Sequence, residues 1–317
     1  MRVQSRRTFL AGLAGAAFVA CGGASAQAPG PGVRLPNIAT DGPPEPGGSA
    51  TARVSPAAAA IPATPVPTAA RAVRGQASEE RALMPGTPWE TRLSIRHSGL
   101  RGPAVLVLGG VHGNEPGGWL AAEQVASWVP ATGSLLVVPR ANVLAIPDFV
   151  RTTEELGDLN RLYPGDPASA FPMERMAAAI VATAVEFQCE VLLDMHESWA
   201  FYAEYPGTGT GALGQTITPG VGPRRETIGA EMAAHVNTVV SVREQFIVRD
   251  GTTFRRPDAT PPPGQTNRGR SSLSVGGYVP SLTPILVEMG QEHQEIDRRV
   301  ELHLLTARAL LELLGVV

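Results

Sequence analysis

The sequence predicts an α/β sandwich built on a mixed, mainly parallel sheet, and three observations point to it. Apolar runs of strand length occur at 104–109, 134–138, 190–195 and 284–289, and such continuous runs belong to strands buried on both faces. Stretches at 117–128, 172–187, 224–240 and 291–314 carry apolar residues at helical spacing. The two kinds of segment alternate along the chain, the pattern of strands joined by crossover helices.

Taken in order, the folded part is expected to begin near Glu80, with an early strand at 91–97 and the strong apolar strand at 104–109. The helix at 117–128 follows, then the strand at 134–138, while the mixed stretch 141–157 reads as loop. Met173, Met176, Ile180 and Val185 mark the next helix, and Val191-Leu192-Leu193-Asp194-Met195 forms a buried strand ending at His196. The Gly/Pro-rich stretch 206–223 reads as loop, 224–240 as helix, and polar 249–277 as a long surface excursion. A last apolar strand at 284–289 and an amphipathic closing helix complete the domain.

Outside that domain the chain is of another character. Ser5-Arg6-Arg7-Thr8-Phe9-Leu10 followed by an apolar, Gly/Ala-rich stretch resembles a twin-arginine export signal over residues 1–26. Phe18-Val19-Ala20-Cys21 resembles a lipobox, which would leave Cys21 lipidated and tether the protein to a membrane. Ala24-Ser25-Ala26 resembles a signal-peptidase site, which would release it. Both outcomes are extracytoplasmic, in the periplasm or anchored at its membrane. Residues 27–79, rich in Pro, Ala, Gly and Thr, read as a disordered linker, since they hold too little apolar surface to order themselves. The folded domain is then 80–317. Only Cys21 and Cys189 occur, so no disulfide framework is available. A net charge of −3, with no basic cluster beyond the first residues, argues against a nucleic-acid partner.

Four side chains suited to chemistry stand just past strand ends. His112 and Glu115 follow the strand at 104–109 within a Gly-rich turn, His196 follows the strand at 190–195, and Glu288 lies in the strand at 284–289. Ligands of open α/β sheets bind beyond the carboxyl ends of the strands, so all four are expected on one edge. Imidazole nitrogen and carboxylate oxygen are zinc-type donors, and a catalytic zinc takes three of them. Taken singly, His112 and Glu115 suit a helix cap as well as a ligand pair, and His196 suits a hydrogen-bonded strand end. Glu288 is harder to explain structurally, because a carboxylate in an apolar strand is costly without a partner or a task. Asp194 suits an acceptor that orients a ligand, or faces away by strand alternation. Arg140, Asn160 and Arg161 offer the planar fork and amide that match a carboxylate, and equally an ordinary surface ion pair.

Five motifs occur in one order: Gly109-Gly110-Val111-His112-Gly113-Asn114-Glu115, Pro139-Arg140-Ala141-Asn142, Asp158-Leu159-Asn160-Arg161-Leu162-Tyr163-Pro164-Gly165, Leu193-Asp194-Met195-His196 and Val287-Glu288-Met289-Gly290. Their order resembles that of zinc carboxypeptidase-like hydrolases, and within that superfamily it is most similar to the succinylglutamate desuccinylase/aspartoacylase branch. The resemblance implies a zinc-carboxypeptidase-like α/β/α sandwich holding one zinc ion on His112, Glu115 and His196. It further implies Glu288 as general base, Arg140 polarising the scissile carbonyl, and Asn160 with Arg161 gripping a substrate carboxylate. The implied reaction is hydrolysis of an amide in a small molecule or peptide with a free carboxylate, as a deacylase of N-acyl amino acids or as a carboxypeptidase. A binding lipoprotein that captures such a ligand without turnover is the alternative. Two departures from the branch stand out. The chain ends after one helix where aspartoacylase-like enzymes carry a C-terminal β domain, so no such domain and a more open site are expected. Tyr163 stands where the branch commonly has Phe. Tyr202, Tyr205, Arg255 and Tyr278 are further candidates for substrate contact.

Overall fold

The computed structural model describes residues 75–205, 211–251 and 270–317. The expected export signal, lipidated Cys21, most of the linker and Arg255 lie outside those residues. Eight strands form one sheet: β1 (Ala77–Leu83), β2 (Thr91–His97), β3 (Ala104–Leu108), β4 (Ser134–Val138), β5 (Val191–Ser198), β6 (Thr216–Pro219), β7 (Ile247–Val248) and β8 (Thr283–Gly290), in the order β1-β2-β4-β3-β5-β8-β6-β7. Among the described residues four α-helices accompany them: α1 (Pro116–Val125), α2 (Pro172–Glu186), α3 (Ile228–Val236) and α4 (Ile296–Leu313). The central strands β4, β3, β5 and β8 run parallel, while β1, β2 and β6 pair antiparallel toward the edges.

Strand alternation builds the three layers. Val105, Val107, Leu193, Met195, Val287 and Met289 point into a core filled from α1, α3 and α4. Leu106, Leu108 and Leu192 point the other way, into a second core closed by α2 and by Leu159, Leu162 and Tyr163. Both faces of the central strands are thus covered, as their unbroken apolar sequences require. By the same alternation Asp194, His196 and Glu288 lie on the α2 face, and Glu197 on the α1/α4 face. The chain passes from β3 outward to β4 and returns on the opposite side of β3 as β5. The gap beyond the carboxyl ends of β3 and β5 is therefore the topological switch point, where open α/β sheets place their ligands.

The sequence reading misses three strands. β1 starts at Ala77, inside the segment expected to be linker. Its sequence Ala-Ser-Glu-Glu-Arg-Ala-Leu carries the charges that protect an exposed edge and hides the apolar signal of a strand. The expected loop 206–223 contains β6, four residues that pair antiparallel with β8 and set Thr216 opposite Glu288. The two-residue β7 completes the edge. The end of the expected surface excursion also turns inward: Ser272, Leu273, Val275 and Gly276 are buried in a 3-10 turn over Ser272–Gly277. The helices at 224–240 and 291–314 are shorter than expected, as α3 and α4.

Candidate metal centre

The turn between β3 and α1 carries the first two donors. Its backbone must pass close to the loop after β4: a side chain on Gly113 would place a Cβ 2.1 Å from the Ala145 carbonyl oxygen. Pro116 at the first helical position then starts α1 immediately after Glu115. His112 Nδ1 lies 2.6 Å from Glu115 Oε1, and His196 Nδ1 from the end of β5 lies 2.8 Å from Glu115 Oε2. The two Nδ1 atoms are 3.1 Å apart. All three residues are buried, at 1%, 5% and 1% exposure. Their ligand atoms lie within 4.8 Å of one another, the one such cluster of three among the described residues.

The donor set fits a single cation. Two imidazole nitrogens 3.1 Å apart cannot both aim hydrogens at each other. That separation is close to what two bonds of about 2.1 Å to one zinc ion allow. Without a cation the three groups must hold charge among themselves. Burial alone would raise the Glu115 carboxyl, but His112 and His196 hold it well below the usual carboxylate range. Burial alone would lower His196, but Asp194 and Glu115 push it well up. A dication replaces the shared proton in such a cluster and leaves both imidazoles neutral.

The far nitrogens are held as well. His112 Nε2 is 3.2 Å from Asp158 Oδ1, and His196 Nε2 is 3.0 Å from Asp194 Oδ2, the latter without the alignment of a full hydrogen bond. A carboxylate behind each ring commits Nε2 and leaves Nδ1 for the metal. Asp194 thus takes the orienting position that alternation permits. Asp158 is drawn well below its usual range, burial being outweighed by His112, Arg151 and Arg161.

Glu288 stands beside His196 in register on the neighbouring strand, 8% exposed, with Oε2 lacking a hydrogen-bond partner. Burial pushes its carboxyl up to about 7, with Glu115 adding to the rise and His196, His112 and Arg151 opposing it. Asn160 and Arg161 lie in a 3-10 turn that Asp158 caps by accepting the Asn160 amide at 3.0 Å. Asn160 Oδ1 accepts the Ser272 amide at 3.1 Å, and exposed Arg161 donates from Nη1 to the Asn160 carbonyl at 2.7 Å. Because Asp158 also touches His112, this turn borders the cluster.

Arg140 is not brought to the cluster. Its Nε donates to Glu123 Oε1 at 2.7 Å, and its guanidinium lies 4.4 Å from the centre of the Trp119 ring, both on α1. The expectation for Arg140 is corrected on that geometry, since the guanidinium is committed to the helix surface. Arg151, which the sequence reading left in a loop, stands there instead. Its Nη1 lies 3.7 Å from Glu115 Oε1, while Nε and Nη2 donate to Asp158 Oδ2 at 3.1 and 3.0 Å. No short motif surrounds it. The one available signal was its position seven residues before Asp158. Tyr163 is wholly buried. Tyr202 and Tyr278 are stacked by Arg249 and Arg270, and the Tyr205 hydroxyl donates to Glu292 Oε2 at 3.3 Å.

A β3-loop-α1 donor pair, a third donor from β5 and a carboxylate from β8 on a mixed α/β sheet define the carboxypeptidase-like fold class. Solved structures share it: cell shape determinant protein Csd4 from Helicobacter pylori with a bound tripeptide superimposes with a TM-score of 0.55 at 16% identity, covering 76% of this chain and 56% of that one. The mDAP-bound form of the same protein, described as a D,L-carboxypeptidase, gives 0.53 at 17% identity, covering 68% and 52%. Residues 101–201, which hold all three candidate ligands, match the succinylglutamate desuccinylase/aspartoacylase catalytic domain. The N-alpha-acetyl-L-2,4-diaminobutyric acid deacetylase of Halomonas elongata is 34% identical over 99 residues, 30% of this chain and 28% of that protein. The chain thus spans little more than half of the Csd4 chains and a smaller part of the deacetylase.

Proposed function

We propose that the protein is an exported, zinc-dependent amide hydrolase acting on an N-acyl amino acid or peptide that bears a free carboxylate. The observation that carries the reading is the convergence of His112, Glu115 and His196 with Glu288 in register beside His196. The family match of residues 101–201 and the deacetylase likeness support an amide bond as the target. The tripeptide and mDAP recorded with Csd4 favour peptides among the substrates to be tried. The twin-arginine-like start supports export, with Cys21 as a lipid tether.

His112 and His196 through Nδ1, and Glu115 through its carboxylate, would hold the ion. Held there, zinc would supply a Lewis acid able to bring the pKa of water to about 7. Glu288, poised near neutrality by burial, takes the proton of the attacking water and returns it to the leaving nitrogen. Arg151, aimed by Asp158, offers the guanidinium that stabilises negative charge developing on the carbonyl oxygen, the task expected of Arg140. Asn160 and Arg161, on the turn behind His112, hold the substrate carboxylate. The products are a carboxylate and a free amine.

The test is a panel of N-acyl amino acids, dipeptides and muropeptides, scored for released amine with wild type and Glu288→Gln. Amine release by wild type that the variant loses is expected. Binding of intact substrate without hydrolysis over a long incubation would replace the enzyme by a capture protein.

A further inference from the structure

Glu115 precedes the first turn of α1, where an acidic side chain ordinarily caps the helix, yet it makes no capping bond because its carboxylate faces His112 and His196. The Gly117 amide is instead accepted by Glu197 Oε1 at 2.9 Å. Strand alternation turns Glu197 to the face of β5 opposite His196, toward α1 and α4, and its side chain is wholly buried. Oε2 accepts from Arg299 Nη1 of α4 at 2.5 Å and from Gln291 Nε2 at 3.0 Å, and Gln291 Nε2 also lies 3.0 Å from the Asn114 carbonyl oxygen. The backbone amide of the same residue, Glu197, donates to Glu115 Oε2 at 3.0 Å. Residue 197 therefore grips the ligand turn twice, by its amide on the ligand carboxylate and by its side chain on the helix start behind it. The grip also accounts for Gly117, where a Cβ would stand 2.1 Å from Glu197 Oε1.

We propose that Glu197, paired with Arg299 and seated by Gln291, is a positioning residue that fixes Glu115 and its turn against the strand of His196 and so sets the affinity of the site for its cation. The inference rests on the metal reading above. A buried carboxylate needs its partners, so removing one should loosen the turn as well as the local core.

The experiment uses the full chain stripped of metal. Zinc affinity is measured by competition with a chromophoric chelator, alongside the melting of the metal-free forms. Arg299→Met should weaken zinc about 10- to 100-fold, the usual effect of losing a partner behind a ligand. Arg299→Lys can still supply the one N–H that Oε2 accepts, and should stay within about threefold of wild type. Gln291→Leu should weaken zinc about tenfold. Wild-type affinity in an Arg299→Met protein that merely melts lower overturns the proposal and makes the ion pair a stability element alone. A loss in Arg299→Lys equal to that in Arg299→Met overturns it too. If Arg299→Met does not fold, unchanged affinity in Gln291→Leu overturns it. A wild-type chain that takes up no zinc removes the metal reading itself.

Discussion

At the residue scale the proposed chemistry rests on Glu288 and Arg151, and each can be tested by one substitution. Glu288→Gln should lower kcat/KM by about 10²- to 10⁴-fold, the range of a lost general base, with zinc content unchanged by elemental analysis. As a base Glu288 must be ionised, so activity should rise with pH through its pKa. Burial pushes that value up to about 7 in the metal-free site, and a neighbouring dication stabilises the carboxylate and lowers it. The pH profile of the zinc-loaded enzyme should therefore show an acidic limb below pH 7 that Glu288→Gln lacks. Arg151→Met should lower kcat about 10²- to 10³-fold with little change in KM, as for a lost oxyanion donor. Arg140→Met should leave kcat nearly unchanged and cost about 1 kcal/mol of stability or less, since it breaks a part-exposed ion pair and one ring contact. Steady-state kinetics and urea titration of the two variants decide between these roles. That His112, Glu115, His196 and Glu288 meet at one sheet edge was legible in the sequence, because each sits beside an apolar run whose end is unmistakable. The place of Arg151 beside Glu115 was not, because a loop residue has no periodicity, and the motif around Arg140 drew attention to a guanidinium that packs on α1.

At the scale of elements, the turn from β3 to α1 is the part on which the site depends. Gly113 has no room for a side chain against the Ala145 carbonyl. Gly113→Val should therefore push the two loops apart and weaken zinc about tenfold or more in a chelator competition, while the sheet keeps its far-ultraviolet circular dichroism. The parallel strands β3, β5 and β8 could be read directly, since burial on both faces leaves only apolar residues until the titratable ones begin. β6 could not, because Thr216–Pro219 is too short to show a period and stands in Gly/Pro-rich sequence. Its pairing with β8 matters nonetheless, as it closes the flank of the strand that carries Glu288. β1 was hidden by the charged residues that make it a safe edge.

At the scale of the whole molecule, a three-layer sandwich brings donors from two separate strand ends to one switch point, where a bound cation would tie them together. Zinc at about 1,000 times its dissociation constant would add about 4 kcal/mol to the folded state, which for a domain of this size is a shift of about 10 °C. Chelation should lower the melting temperature by that order, and added zinc should restore it. The alternation of strands and helices made this architecture readable from the sequence, whereas the capping of α1 from another strand by Glu197 depends on three-dimensional neighbours that no local pattern records. The central claim is that one cation is held by His112, Glu115 and His196, and diffraction at the zinc edge tests it most directly. The account predicts a single anomalous peak between the two Nδ1 atoms and the Glu115 carboxylate. A zinc-supplemented crystal with no peak there, or with its strongest peak elsewhere, would contradict it.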